Sequence, residues 1–251
     1  MKTRPNIAIL ALICFALCGT PAFALHSGFT DAKGDTVFSR EFIRDYKSAQ
    51  KAVDKSHSAE PLLKLLKKYK QVEEVAELEL SIGVICSQRG GVIDPAKAVV
   101  YFSNVLKYNF PEKTYVQILM WRGNSLEQLK KHNEALKDYL RGLLACSYHD
   151  LSGGWPEIKS PKVKIYFSRG SDDPEDVDRA RDHRMYRRKI DFQRSLLRHR
   201  YFFIEATKRV QSYLSLSNDQ VLNTLKEISP DTSRYTLIVN LLRSENYRPW
   251  R

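Results

Sequence analysis

Two stretches of this sequence decide its fold: LELSIGVICSQRGGVIDPAKAVVYFSNVL at residues 78–106 and YVQILMWRGNSLEQLKKHNEALKDYLRGLLAC at residues 115–146. In both stretches small residues recur where two helices would touch, and large apolar residues fill the intervals at helical spacing. Each stretch therefore predicts a pair of packed helices. This pattern is typical of a scaffold that holds another molecule, rather than of a site that carries out chemistry.

The second stretch places its small residues at a fixed spacing. Ala135 lies twelve residues after Gly123, Tyr139 lies four residues further on, and Gly142 three beyond that. Small side chains at Gly123 and Ala135 would let two helices approach closely, while Tyr139 would fill the space toward a neighbouring helix pair. The spacing resembles that of the tetratricopeptide repeat, a helical hairpin that stacks into arrays.

The first stretch carries a related pattern with a longer connection. Gly83 and Ala98 are its small contact positions, fifteen residues apart, and the Gly-containing residues 89–94 separate its two predicted helices. This arrangement resembles a Sel-like repeat, a relative of the tetratricopeptide repeat. Because each repeat buries its faces only against neighbours, helices before Lys70 and after Ser171 are expected to cap the array. The sequence thus predicts an all-α fold, a short superhelical array of helical hairpins with flanking capping helices.

The chain divides into five predicted segments. They are a signal peptide at 1–24, an N-terminal segment and helix at 25–57, the helical repeats at 58–149, a loop at 150–172 and a C-terminal basic helical region at 173–251. Local signals predict a first helix at 37–53, a second helix that Ser58 caps, and a long helix at 173–214. The pair Ser217 and Gln220 predicts a capping box at the start of another helix.

The N-terminus has the three parts of a secretory signal. Lys2 and Arg4 supply the charged part, residues 7–18 form an apolar run, and residues 21–24 offer a small-residue cleavage site. Cleavage is expected after Ala24, which predicts a secreted or periplasmic protein. An uncleaved N-terminal anchor is the alternative. No second apolar run of this kind follows, so we expect no transmembrane span in the mature chain.

The charge of the chain is strongly positive, with a formal net value of +12 at pH 7. Between Arg179 and Arg209, eleven Lys or Arg face three acids. Such a helix could contact an anionic surface polymer or an anionic lipid surface, and the residues expected to do so are Arg187, Arg188, Arg194 and Arg198. The alternative is a solvated face, partly paired with acids of neighbouring helices. Because the protein is expected to be exported, nucleic acid is not an expected partner.

The resemblance to tetratricopeptide repeats also implies a binding site. These repeats commonly bind extended peptides on the inner face of their first helix, and here that face would present Gln117, Met120, Asn124 and Glu127. Asn124 stands where the family often uses Asn to hold a peptide backbone. The basic residue expected one turn earlier is replaced by Met120, so a carboxylate clamp is not implied. An unused polar face is the alternative.

Signatures of catalysis are missing from the sequence. It contains no Gly-x-Ser-x-Gly, His-Glu-x-x-His, Gly-rich phosphate loop or Cys-x-x-Cys. We therefore expect no enzyme activity, no cofactor and no metal site. Two cysteines remain after cleavage, Cys86 and Cys146. They could form a disulfide in an oxidising compartment or serve as buried apolar thiols, and we favour the thiols.

These observations favour an exported helical-repeat scaffold or adaptor that binds a protein or peptide partner through its concave face. One alternative function is that of an envelope protein whose basic helix binds an anionic polymer or lipid surface, and another is that of an enzyme with an unrecognised motif.

Overall fold

A computed structural model of the chain describes residues 38–87, 93–148 and 174–244, and within 174–189 it describes the backbone alone. The predicted signal peptide and the predicted loop at 150–172 lie outside the described residues. Every regular element in the described ranges is an α-helix, which confirms the all-α prediction. In chain order the helices are α1 (Arg40–Ser56), α2 (Glu60–Lys68), α3 (Val72–Ser87), α4 (Pro95–Val105), α5 (Glu112–Gln128), α6 (His132–Ser147), α7 (Pro174–Tyr213), α8 (Asn218–Ile228) and α9 (Tyr235–Arg243).

The first two helices begin later than their sequence signals indicate. Helix α1 begins after Ser39, whose hydroxyl accepts a hydrogen bond from the Phe42 amide at 3.1 Å. The predicted cap of α2 is wrong, because Ala59 is the N-cap residue and makes no side-chain capping bond. The Ser58 hydroxyl instead accepts from the Glu60 amide at 3.2 Å. Ser58 therefore closes a turn before the helix, one residue too early to cap it.

The C-terminal helices follow their sequence signals closely. Helix α7 is 40 residues long, close to the predicted 173–214, and spans roughly 60 Å. The predicted capping box of α8 is confirmed: the Gln220 amide donates to the Ser217 hydroxyl at 3.3 Å, and the Ser217 amide donates to the Gln220 side chain at 2.8 Å. This reciprocal pair fixes the point at which the chain enters α8.

The helices share a core made of two adjoining hydrophobic clusters. Consecutive helices from α1 to α7 pack against one another, and α8 and α9 pack back onto α6. One cluster joins α1–α5 and the other joins α5–α9. Leu106 and Trp121 contact both clusters. The described helices are therefore joined by continuous apolar contact, and α5 contributes to both halves.

Close helix contacts occur at three glycines that the sequence had placed at contact positions. A Cβ atom added at Gly83 would lie 2.8 Å from the Phe102 ring, and one at Gly123 would lie 2.3 Å from the Tyr139 ring. In the hairpin of α3 and α4, Phe102 stands four positions after the small residue Ala98. In the hairpin of α5 and α6, Tyr139 stands four positions after the small residue Ala135. The predicted close approach at both hairpins is confirmed.

The third close contact joins the second hairpin to the helix that follows it. A Cβ atom at Gly142 would lie 2.2 Å from the Phe203 ring of α7. The Tyr139 ring also packs against α7, with its centroid 5.8 Å from that of Phe202 and 6.3 Å from that of Phe203. Helix α7 is thus packed on α6 as closely as the two helices of a hairpin are packed on each other.

Both cysteines of the described chain are free thiols. Cys86 lies in the cluster of α1–α5 and Cys146 in the cluster of α5–α9, and both are buried. The disulfide considered from the sequence is not present. Burial raises the pKa of the Cys146 thiol from 9.0 to about 12 and also raises that of Cys86.

These buried thiols should be unreactive in the folded protein. The thiolate is the reacting species, and burial disfavours it while also blocking access. We expect a disulfide-exchange reagent such as dithionitrobenzoate to modify neither cysteine under native conditions, and to modify both after unfolding in urea. Rapid modification of the folded protein would contradict the burial of these thiols. An intact mass lacking two hydrogens before reduction would contradict their free state.

Candidate functional site

The predicted peptide-binding face of α5 largely contacts other residues of the same chain. Met120 is only 2 % exposed and belongs to the core, while Gln117 is half-buried. Glu127 accepts two hydrogen bonds from the Arg209 guanidinium of α7, each 2.7 Å long. The Tyr139 hydroxyl lies 2.7 Å from Glu127 Oε2 and 3.0 Å from Asn124 Oδ1. Two of the four predicted residues therefore already hold internal partners.

The contact between Glu127 and Arg209 forms a strong internal link between α5 and α7. Desolvation opposes the charge on Arg209, but the hydrogen bonds and charge of Glu127 outweigh it and raise the pKa of the guanidinium above its usual range. Burial raises the pKa of Tyr139 well above 10.0, so its hydroxyl stays protonated as a donor. A partner peptide could bind the Glu127 carboxylate only by exchanging with these contacts.

The four residues predicted to contact a polyanion are only partly described. Arg187 and Arg188 belong to α7, but their side chains lie outside the described part of the chain. Arg198 is exposed, and Arg194 is half-buried. Both take part in interactions with other residues. The polyanion-binding role of this helix stays a prediction.

An open groove lies on a different side of α5, between α4 and α6. Its volume is about 180 Å³. Helices α4 and α6 form its walls and α5 forms its floor. The lining residues are Val99 and Ser103 of α4, Arg122 and Leu126 of α5, and Glu134, Lys137, Asp138 and Arg141 of α6. The groove thus combines two apolar side chains with three cations and two acids, all of them held on helices.

A buried ion pair fixes the floor of the groove to its α6 wall. Arg122 donates from Nε to Asp138 Oδ2 at 2.7 Å and from Nη2 to Asp138 Oδ1 at 2.6 Å. The Asp138 side chain is 1 % exposed and the Arg122 side chain 16 %. Arg122 Nη1 also donates to the Ser103 hydroxyl of α4 at 3.2 Å. One guanidinium therefore links all three helices of the groove.

Two further cations of α6 lie beside this pair. Arg141 Nη1 is 3.4 Å from Asp138 Oδ1, and the Arg141 side chain is 39 % exposed. Lys137 Nζ is 3.1 Å from Glu227 Oε2 of α8, and both side chains are more than two-fifths exposed. At the other end of the groove, Glu134 and Lys131 form an exposed contact of 3.7 Å. The Arg141 end of the groove is therefore the more positive end.

The sequence contained an overlooked signal for this groove. Arg122 precedes Gly123, and Asp138 precedes Tyr139. Because Gly123 and Tyr139 touch where the two helices cross, their chain neighbours on the same side also come close. Opposite charges at those two neighbouring positions indicate an ion pair across the hairpin.

A buried histidine on α7 gives the protein a pH dependence. His199 is 8 % exposed, and burial together with the charges of Lys113 and Arg198 lowers its pKa from 6.5 to about 4. In the unfolded chain the imidazole becomes protonated below about pH 6.5. Between these two pKa values the unfolded state binds more protons than the folded state. The free energy of unfolding therefore decreases as the pH falls through this window. Above the window, titration of His199 does not change it.

We expect the wild-type protein to lose about 1 kcal/mol of unfolding free energy from this group between pH 7 and about pH 5.5. Urea unfolding at both pH values measures the loss. The variant His199→Gln removes the titrating group, so its loss over the same interval should be smaller by about that amount. The same pH dependence in both proteins would show that His199 is not its source.

Within the described ranges, no cluster of His, Cys, Asp and Glu is arranged to hold a metal ion. Among the described helices, none combines the length and the apolar character that crossing a bilayer requires. No family model, curated protein or solved structure matches this chain. The groove and the helices that form it are therefore the features of the described structure that bear on function.

Proposed function

We propose that this protein is a helical-repeat scaffold that binds a segment of a partner protein in the groove between α4 and α6. The observation that carries the proposal is the groove itself, an open depression whose lining residues come from three packed helices. The inner face of α5, which the resemblance to tetratricopeptide repeats favours, has Asn124 and Glu127 in contact with the protein's own residues. We therefore place the partner in the groove, where the Lys137 and Arg141 side chains are 43 % and 39 % exposed.

The groove is rigid, and this rigidity lowers the conformational free-energy cost of binding a partner. Arg122 is held by two hydrogen bonds to Asp138 and one to Ser103, so the floor needs no rearrangement when a partner arrives. A surface ordered in advance spends less of the interaction free energy on immobilising side chains. The proposed mechanism is capture of a partner segment by a preorganised surface.

The size of the groove favours a peptide over a small molecule. At about 180 Å³ it is smaller than the roughly 300–1,000 Å³ of ordinary small-molecule pockets. It can hold one or two side chains of a chain that continues across the surface. Val100, one residue after Val99 on α4, is 59 % exposed, so this helix also carries exposed apolar surface outside the groove. Because the chain is expected to be exported, the proposed partner is an exported protein.

Site-specific photocrosslinking tests this proposal. We would place p-benzoylphenylalanine at Lys137 in the groove, at Gln117 on α5, or at the exposed Lys64 of α2 as a control. The purified proteins would be irradiated in an envelope extract of the source organism. We expect a protein adduct from position 137 and not from position 64. Adducts confined to position 117 would restore the inner face as the site, and the lack of an adduct at any position would overturn the scaffold proposal.

A further inference from the structure

We infer that the groove between α4 and α6 recognises a carboxylate, so that the partner segment is acidic, and that Arg141 is the residue that binds it. This inference rests on the proposed function of the same groove and adds the chemistry of the partner. Its basis is an imbalance of charge at one end of the groove.

The imbalance arises because two guanidinium groups share a single carboxylate. Arg122 approaches both oxygens of Asp138 at 2.7 and 2.6 Å, and this bidentate pair satisfies both groups. Arg141 reaches the same Oδ1 atom only at 3.4 Å, beyond the length of a strong charge-assisted bond. Asp138 therefore neutralises Arg122 and leaves the charge of Arg141 largely uncompensated.

Arg141 retains most of its hydrogen-bonding capacity. A guanidinium carries five N–H donors, and among the described residues the single long contact to Asp138 is its hydrogen bond. The side chain is 39 % exposed, so the remaining donors can reach a ligand. A planar guanidinium matches the two oxygens of a carboxylate. An aspartate or glutamate side chain of the partner is the occupant that this geometry complements.

Lys137 adds a second, weaker contact for the same occupant. Its present partner Glu227 is 62 % exposed and the Lys137 side chain 43 %, so the pair is largely screened by solvent. Exchange of Glu227 for a partner carboxylate therefore costs little. Glu134 at the opposite end repels a second acid there, which orients the acidic residue toward Arg141. Between these two ends the half-buried Val99 supplies apolar contact.

Fluorescence anisotropy with a defined probe tests the inference on the purified full-length protein. The probe is a fluorescein-labelled hexaglutamate peptide, the comparison is labelled hexaglutamine, and the salt concentration is about 0.15 M to screen long-range attraction. We expect hexaglutamate to bind and hexaglutamine to bind at least about tenfold more weakly. Equal binding of the two peptides would overturn the inference.

Matched variants separate a contact at Arg141 from the overall positive charge. Arg141→Gln and the α2 variant Lys64→Gln each remove one positive charge. We expect Arg141→Gln to weaken hexaglutamate binding about tenfold and Lys64→Gln to leave it unchanged. Arg141→Lys keeps the charge but loses the two-pronged geometry, so its affinity should be intermediate. Equal effects of Arg141→Gln and Lys64→Gln, in variants that melt as the wild type does, would overturn the inference.

The two proposals fail in distinguishable ways. A photocrosslinked partner at position 137 together with equal binding of hexaglutamine and hexaglutamate would preserve the groove as the binding surface and reject an acidic partner. Selective binding of hexaglutamate that Arg141→Gln weakens would support the carboxylate contact. If no adduct then formed at any of the three positions, the scaffold proposal would fail while that contact remained.

Discussion

Replacement of Gly142 with valine is expected to destabilise the protein by about 3 kcal/mol or more. A Cβ atom at this position would lie 2.2, 2.4 and 2.5 Å from three atoms of the Phe203 ring. Phe203 is fully buried, and the Phe202 ring next to it lies 5.5 Å away between centroids. The ring cannot swing clear, so α6 and α7 must separate or strain. Overpacking of this kind typically costs about 1–3 kcal/mol, and a branched side chain adds to it.

A compensating variant shows whether the clash with Phe203 is the cause. Phe203→Leu alone should also destabilise the protein, because it leaves a void in the core. The double variant Gly142→Val/Phe203→Leu should lose at least about 1 kcal/mol less than the sum of the two single losses. Urea unfolding of the four proteins measures this coupling. Additive losses, or a Gly142→Val variant as stable as the wild type, would contradict the close packing of α7 on α6.

Asp138→Ala is the second substitution expected to have a large effect, at about 3 kcal/mol. It removes the carboxylate that pairs with Arg122, whose side chain is 16 % exposed. The Arg122 guanidinium would then lose both hydrogen bonds to Asp138, while the fold still excludes most of the solvent around it. Arg141, which lies beside the same carboxylate, then adds repulsion between the two guanidinium groups.

Removing both members of the pair should be much less harmful than removing one. In Arg122→Met/Asp138→Leu, apolar side chains replace the whole pair, and such replacements are often nearly neutral. We expect this double variant to be more stable than Asp138→Ala, as urea unfolding would show. Lys97→Ala, which removes an exposed partner of Asp94, is the control and should change the stability far less than Asp138→Ala does. A mild effect of Asp138→Ala would contradict the structural role of the pair.

Local features of the fold could be predicted because they depend on residues close in sequence. The helical periodicity, the small residues at Gly83 and Gly123, and the capping box at Ser217 all act within one helix or one hairpin. The error at Ser58 arose because a hydroxyl can close a turn one residue before a helix as easily as it can cap the helix.

The candidate site could be predicted much less well. The sequence placed Asn124 and Glu127 on one face of α5, but the partner of Glu127 is Arg209, 82 residues away. No local pattern specifies which distant side chain will meet a surface. The groove was missed for a related reason. Arg122 and Asp138 lie 16 residues apart on different helices, and the contact of their neighbours Gly123 and Tyr139 brings them together.

Mapping the binding of hexaglutamate by heteronuclear NMR on the isotopically labelled protein tests the central claim most directly. The measurement compares the groove with the inner face of α5 and with the exposed residue Arg198 of α7 in a single titration. We predict that the largest amide shifts will fall on α4 and α6 around Ser103, Asp138 and Arg141, while Asn124 and Arg198 stay unchanged. Shifts centred on Asn124 and Glu127, or on Arg198, with the groove unaffected, would contradict the account.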